Sequence, residues 1–156
     1  MTSTVKPIPD GYRAATPYLC VKGAASAIEF YKKAFGATEL MRLAAPDGKV
    51  GHAEIKIGDA PIMLADEHPE MNFQSPPTLG GSPVTLHLYV EDVDAFVLQA
   101  VAAGARLVRP VEDQFCGDRS GHLVDSFGHV WSIGTHKKDV SPEEMEKRAA
   151  GLFGAG

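Results

Sequence analysis

VTLHLYVEDVDAFVLQAVAAG, residues 84–104, changes its apolar period halfway along. Thr85, His87 and Tyr89 alternate with Leu86, Leu88 and Val90, the period of a strand. Val93, Phe96, Val97 and Ala100 then recur at helical spacing, and Gly104 stands where a left-handed stop is expected. The same sentence occurs once before. Thr16, Tyr18 and Cys20 alternate with Pro17, Leu19 and Val21, and Ala24, Ala27, Ile28 and Tyr31 form a helical stripe closed by Gly36. Even the exits correspond, Gly36-Ala37-Thr38-Glu39-Leu40 against Gly104-Ala105-Arg106-Leu107-Val108. Two copies in a chain of 156 residues imply a duplicated module.

Working outward, each copy reads as β-α-β-β-β. In the first, a strand over Ala14–Val21 and a helix over Ala24–Phe35 without a strong N-cap lead to a strand over Glu39–Leu43 and a turn at Pro46-Asp47-Gly48. HAEIKI (His52–Ile57) and APIMLA (Ala60–Ala65) form a hairpin around Gly58-Asp59. Pro61 cannot donate to a ladder, so its strand lies at an edge or begins there. In the second copy, Arg106–Val111 is a strand ending near Pro110, Glu112–Gly121 a long polar loop, Leu123–Val124 a short strand and Val130–His136 the last strand. Ser141-Pro142-Glu143-Glu144 opens a final helix with an N-cap, proline at the first position and glutamate at the third. The expected organisation is an arm (1–13), module one (14–66), a linker (67–83), module two (84–137) and a C-terminal helix and tail (138–156). In the linker, Met71 and Phe73 are either hydrophobic pegs under a surface crossover or part of a flap over a pocket. The fold class is α+β: a curved mixed-sheet cup with helices outside.

Composition bounds the function. Hydrophobic residues at 44% and charged residues at 22% are ordinary for a globular chain. No apolar run reaches the roughly 18 residues of a membrane span, and the first residues lack a secretory h-region. Two cysteines make no disulfide framework, so we expect reduced thiols and a cytoplasmic location. A net charge of −5 without basic clusters argues against nucleic acid and for a small molecule or another protein as partner.

Strand alternation assigns faces. Leu19, Val21, Ile55, Ile57, Ile62, Leu64, Leu86, Leu88, Val90, Trp131 and Ile133 should meet the helices. Thr16, Tyr18, Cys20, His52, Glu54, Lys56, Met63, Thr85, His87, Tyr89, Ser132 and His136 share the other face. That face is either solvated or, with Tyr, Met and Cys among its polar groups, the lining of a ligand cup.

TPYLCVKGAASAIEFYKKAFGA, HAEIKIGDAPIMLADE, VTLHLYVEDVDAFVLQAVAAGA and VRPVEDQFCGDRSGHLVDSFGHVWSIGTH together resemble the vicinal oxygen chelate superfamily, which includes glyoxalase I, extradiol dioxygenases and the fosfomycin and bleomycin resistance proteins. They look most like its PhnB-like branch. The resemblance implies a divalent metal at the centre of the cup, with His or Gln opening each module and His or Glu on each last strand. Carried over, the opening positions fall on Thr16 and Thr85. Asp125-Ser126-Phe127-Gly128-His129-Val130-Trp131-Ser132 puts Ser132 where the closing Glu should be, and Met63 is its counterpart. Hydroxyls and a thioether are poor ligands for Zn, Mn, Ni or Fe(II). We therefore expect no metal or other cofactor at those positions.

A relocated divalent-metal site would use His52, Glu54 and His87, although His52 and Glu54 sit about 7 Å apart along one strand. Each histidine is otherwise a polar pocket residue bonded to a tyrosine such as Tyr18 or Tyr89. His122, His129 and His136 are expected in solvent. Glu54 is a general base if burial raises its pKa, or else a partner of Lys56 or of a cross-strand group. Cys20 is a nucleophile if a base lies near, or a small buried hydrophobe. Arg119 pairs with Asp118 or reaches an anionic ligand. Three functions follow: a metal-independent binder of a small organic molecule using Thr16, Tyr18, Cys20, Met63, Thr85, Tyr89, Arg119 and Ser132; a lyase, isomerase or dioxygenase working from His52, Glu54 and His87; or an interaction module with a vestigial cup. A homodimer is expected, because the strand opened by Pro61 and the last strand would need covering.

Overall fold

The duplicated pattern becomes two sheets of one topology. The computed structural model describes residues 4–154. The expected arm and C-terminal tail thus lie partly outside the described residues. The chain divides at Gly81/Ser82 into two compact units.

In the first unit β1 (Tyr18–Val21), α1 (Ala24–Phe35), β2 (Thr38–Ala44), β3 (Val50–Ile57) and β4 (Ala60–Asp66) follow in order. The sheet order is β1-β4-β3-β2, with β1 parallel to β4 and the other pairs antiparallel. A short 3₁₀ turn (Pro69–Met71) and α2 (Pro76–Leu79) complete the unit. The second unit repeats the arrangement with β5 (Thr85–Tyr89), α3 (Val93–Ala102), β6 (Arg106–Asp113), β7 (Asp118–Val124) and β8 (Val130–His136), ordered β5-β8-β7-β6. A C-terminal helix, α4 (Pro142–Phe153), follows. The architecture is α+β, as the period changes implied. Among the described residues no helix is long and apolar enough to cross a membrane.

The apolar face of the first unit packs as alternation requires, and that of the second does so in part. Leu19, Val21, Ile55, Ile57, Ile62 and Leu64 are buried with Ile28 and Tyr31 of α1. In the second unit Trp131 and Ile133 are buried, whereas Leu86, Leu88 and Val90 are only half-buried. The missing N-cap of α1 comes from β4: the Asp66 carboxylate accepts from the amides of Gly23 (2.7 Å), Ala24 (2.9 Å) and Val50 (2.8 Å). One register position past Gly134, Thr135 does the same for α3, its hydroxyl accepting from Val93 N at 2.9 Å. Asp92 caps that helix as well. Asp125 fastens the turn before β8 through the amides of Phe127 and His129 and the Trp131 indole.

Several expectations are corrected. β1 begins at Tyr18 rather than Ala14, because Pro17 has no N–H to place in the ladder. β6 runs through Pro110 to Asp113, and β7 begins at Asp118, so the long polar loop shrinks to residues 114–117. Pro110 is tolerated because β6 is an edge strand and its register shifts between Arg109 and Glu112. Pro61 opens β4, which is central, and β8 is central too; the edges are β1, β2, β5 and β6. The strands expected to need covering are therefore already paired. Of the two linker pegs, Phe73 is half-buried and Met71 is exposed.

Candidate functional site

In the first unit, the face turned away from α1 carries a continuous hydrogen-bond chain. Met63 of β4 sits in register between Tyr18 of β1 and Glu54 of β3, and His52 lies two residues before Glu54 on the same face. The Tyr18 hydroxyl meets His52 Nδ1 at 2.6 Å, and His52 Nε2 meets Glu54 Oε2 at 2.9 Å. The other Glu54 oxygen accepts from the Tyr12 hydroxyl. Tyr12 belongs to the arm, and sequence reasoning missed it: no local pattern marks a lone tyrosine that reaches a strand 42 residues away.

This chain sets the chemistry of Glu54. The bonds from Tyr12 and then His52 hold its carboxyl below the ordinary carboxylate range and outweigh desolvation. Burial thus does not raise the Glu54 carboxyl, and its partners are Tyr12 and His52 rather than Lys56. The Cys20 thiol is buried and pushed up to about 11, by burial first and then by Glu67 and Asp66. A neutral buried thiol is no nucleophile. The Tyr18 ring meets Phe73 edge-on at 5.6 Å. These two, with Met71, Ala65, His68 and Gly51, line a cavity of about 350 Å³. Thr16 lies apart from it, in a hollow shared with Arg13 and Lys56.

In the second unit, the corresponding row across β5, β8 and β7 is His87, Ser132 and His122. His87 Nδ1 meets the Ser132 hydroxyl at 2.8 Å, and the His87 ring contacts Tyr89 edge-on at 4.5 Å. Ser132 is only 9% exposed, whereas Thr85 is open to solvent. His122 is half-buried, not solvent-exposed; burial, then Arg109 and His87, push its pKa down. His129 is half-buried as well, and His136 alone of the three is exposed. Tyr89 donates to Asp118 Oδ2 at 2.7 Å, and His136 Nδ1 meets Asp118 Oδ1 at 2.7 Å. Asp118 is thus not the partner of Arg119. The Arg119 guanidinium binds Asp94 through two nitrogens (2.9 and 3.0 Å) and Asp113 at 3.3 Å. Three of its five N–H donors are thus engaged by protein carboxylates.

The metal expected from the resemblance can be tested on donors. Thr16, Met63, Thr85 and Ser132 offer no imidazole or carboxylate, and the Ser132 hydroxyl already pairs with His87. They do not fit a divalent metal. For the relocated set, both ring nitrogens of His52 are engaged within the first unit. His87 lies in the other unit. Among the described residues, no group of three or more His, Cys, Asp or Glu side chains is gathered to hold a metal ion.

Comparison with known proteins places this geometry. A family model described as the Glyoxalase/Bleomycin resistance protein/Dioxygenase superfamily matches residues 13–133. An uncharacterised protein of Mycobacterium bovis is 48% identical over 136 residues, covering 85% of this chain and 90% of that protein. Among solved structures, an Arabidopsis thaliana gene product is 29% identical with a TM-score of 0.63, covering 78% of this chain and 98% of its own. A PhnB protein from Bacillus cereus is 21% identical with a TM-score of 0.60, covering 79% and 99%.

Proposed function

The chain belongs to the glyoxalase/bleomycin resistance protein/dioxygenase superfamily, and from that premise we propose that it binds a small organic molecule without the superfamily's divalent metal. One observation carries the reading. The four positions that would hold the metal are Thr16, Met63, Thr85 and Ser132, and none is an imidazole or a carboxylate. What those faces offer instead is shape and hydrogen bonding. The first unit has an aromatic and thioether-lined cavity of about 350 Å³, bounded by Tyr18, Phe73 and Met71. At its polar edge Tyr18 leads into the His52–Glu54 pair. A flat apolar ring packs against Tyr18 and Phe73, and its polar substituents meet the Tyr18 hydroxyl and His68. No covalent step is required of any residue in this reading.

The test is a metal analysis of the purified protein, with thermal-shift titrations of Zn, Mn, Ni and Fe(II) after chelation, followed by a screen of flat aromatic and cationic compounds. We expect no metal-dependent shift. A true organic ligand at about a hundred times its Kd adds about 2.7 kcal/mol, a rise of roughly 5–10 °C. Tyr18→Ala and Phe73→Ala should abolish that rise. Stoichiometric metal whose stabilising shift is lost in His87→Ala or Glu54→Ala would instead establish the lyase, isomerase or dioxygenase reading on a relocated centre.

A further inference from the structure

We propose that the cleft between the β6–β7 turn and the C-terminal segment binds a small molecule through an anionic oxygen group, a phosphate or a carboxylate. The cleft has a volume of about 420 Å³, and Lys137, Lys138 and Arg148 line it together with Gln114. That is room for on the order of ten waters at about 30 Å³ each, more than a bare inorganic ion needs.

The charges decide the ligand class. Two carboxylates, Asp113 and Asp118, also border the cleft, but both are engaged. Asp113 meets Arg119, and Asp118 meets Tyr89 and His136. The Arg148 guanidinium reaches the Phe115 carbonyl at 3.0 Å and Glu144 at 3.2 Å, which fixes it at the rim. The two lysine ammoniums have no hydrogen-bond or ion-pair partner among the described residues, and Lys137 feels Asp94 only at longer range. Three cationic residues against two carboxylates line this cleft, in a chain of net charge −5.

Backbone bonds fix the segment that carries both lysines. Lys137 N and Lys138 N both donate to the Gly117 carbonyl, at 2.9 and 3.0 Å. Gly117 has a φ of +95°, and a Cβ there would stand 2.2 Å from the Lys138 carbonyl oxygen. The two segments therefore meet more closely than any side chain at residue 117 would allow. The cationic wall is built from residues 137–148, beyond residue 133 where the family match ends. Asp118 joins the cleft to Tyr89 and His136 of the polar face, but the proposal does not rest on the function proposed for the first unit's cavity.

The test titrates the full chain with inorganic pyrophosphate and with citrate, read by calorimetry and by amide NMR. Saturable shifts confined to Gln114–Asp118 and Lys137–Val140 are expected, tighter at low ionic strength. The tighter of the two probes tells phosphate from carboxylate. Lys137→Ala/Lys138→Ala should weaken binding by about tenfold or more. Lys22→Ala/Lys49→Ala, in the other unit, should leave it unchanged. A thermal melt equal to the parent's checks that the paired variant is folded. Two results would overturn the site: no shift of those amides at millimolar probe, or shifts of equal size in the Lys137→Ala/Lys138→Ala protein.

Discussion

Glu67 gathers three donors on one carboxylate oxygen: the Ser75 amide at 2.8 Å, the Ser75 hydroxyl and the Thr78 hydroxyl. These bonds bring its pKa down to about 2, the Ser75 hydroxyl contributing most. An unperturbed glutamate titrates near 4.3. Because the folded value is the lower one, the stabilisation is fully present above about pH 4.3 and is lost as pH falls through about 2. The segment from Glu67 to Leu79 should loosen over that window while both sheets persist, and Phe73 should leave Tyr18. Amide exchange at Ser75, followed against pH, checks this. Glu67→Gln should leave Ser75 protection flat across the window, and an unchanged pH dependence in that variant would sink the assignment. At this scale the sequence was least legible. Tyr18 and His52 were readable as one polar face from alternation alone. Tyr12 on Glu54, Ser75 on Glu67 and Asp94 on Arg119 join residues with no shared period, and only the folded chain brings them together.

Elements were more legible, because period and turn chemistry are local. Both long helices of the duplication, the Gly58-Asp59 hairpin and the Ser141 cap occur where the pattern put them. The misreading at β6 came from treating Pro110 as a stop, when an edge strand with shifted register has no ladder bond there to lose. Likewise no local signal marks the cap of α1, because Asp66 comes from the end of a strand 42 residues on. The β6–β7 turn and the segment before α4 form an element contact that rests on one glycine. Gly117→Ala combines a left-handed backbone with a Cβ driven into the Lys138 carbonyl. We expect a loss of about 1–3 kcal/mol, faster proteolysis after His136, and weaker pyrophosphate binding. A variant that melts with the parent and keeps α4 protected would show that the contact is not needed.

The duplication is uneven across the whole molecule. Among the described residues, the buried apolar set has 18 members in the first unit and 7 in the second. Exposed apolar side chains do not share this unevenness: Leu98 is 71% exposed in the second unit, and Met71 is 75% exposed in the first. Burial is the main favourable term in folding, so the second unit should open at lower free energy. Native-state hydrogen exchange should therefore show the most protected amides in β3 and β4, with β7 and β8 exchanging through a cheaper opening. Equal protection in both sheets would contradict this. For the homodimer we propose, exposed apolar side chains on α3 are a better ground than β4 and β8, which are central. A second copy covering Leu98 and Val101, three residues apart on α3, would bury exposed apolar area. Association of that kind makes stability depend on protein concentration. The melting temperature should rise with concentration, and Leu98→Lys should remove the rise and give a monomer in sedimentation. A concentration-independent melt with monomer mass would mean that the second unit stands on its thin core alone.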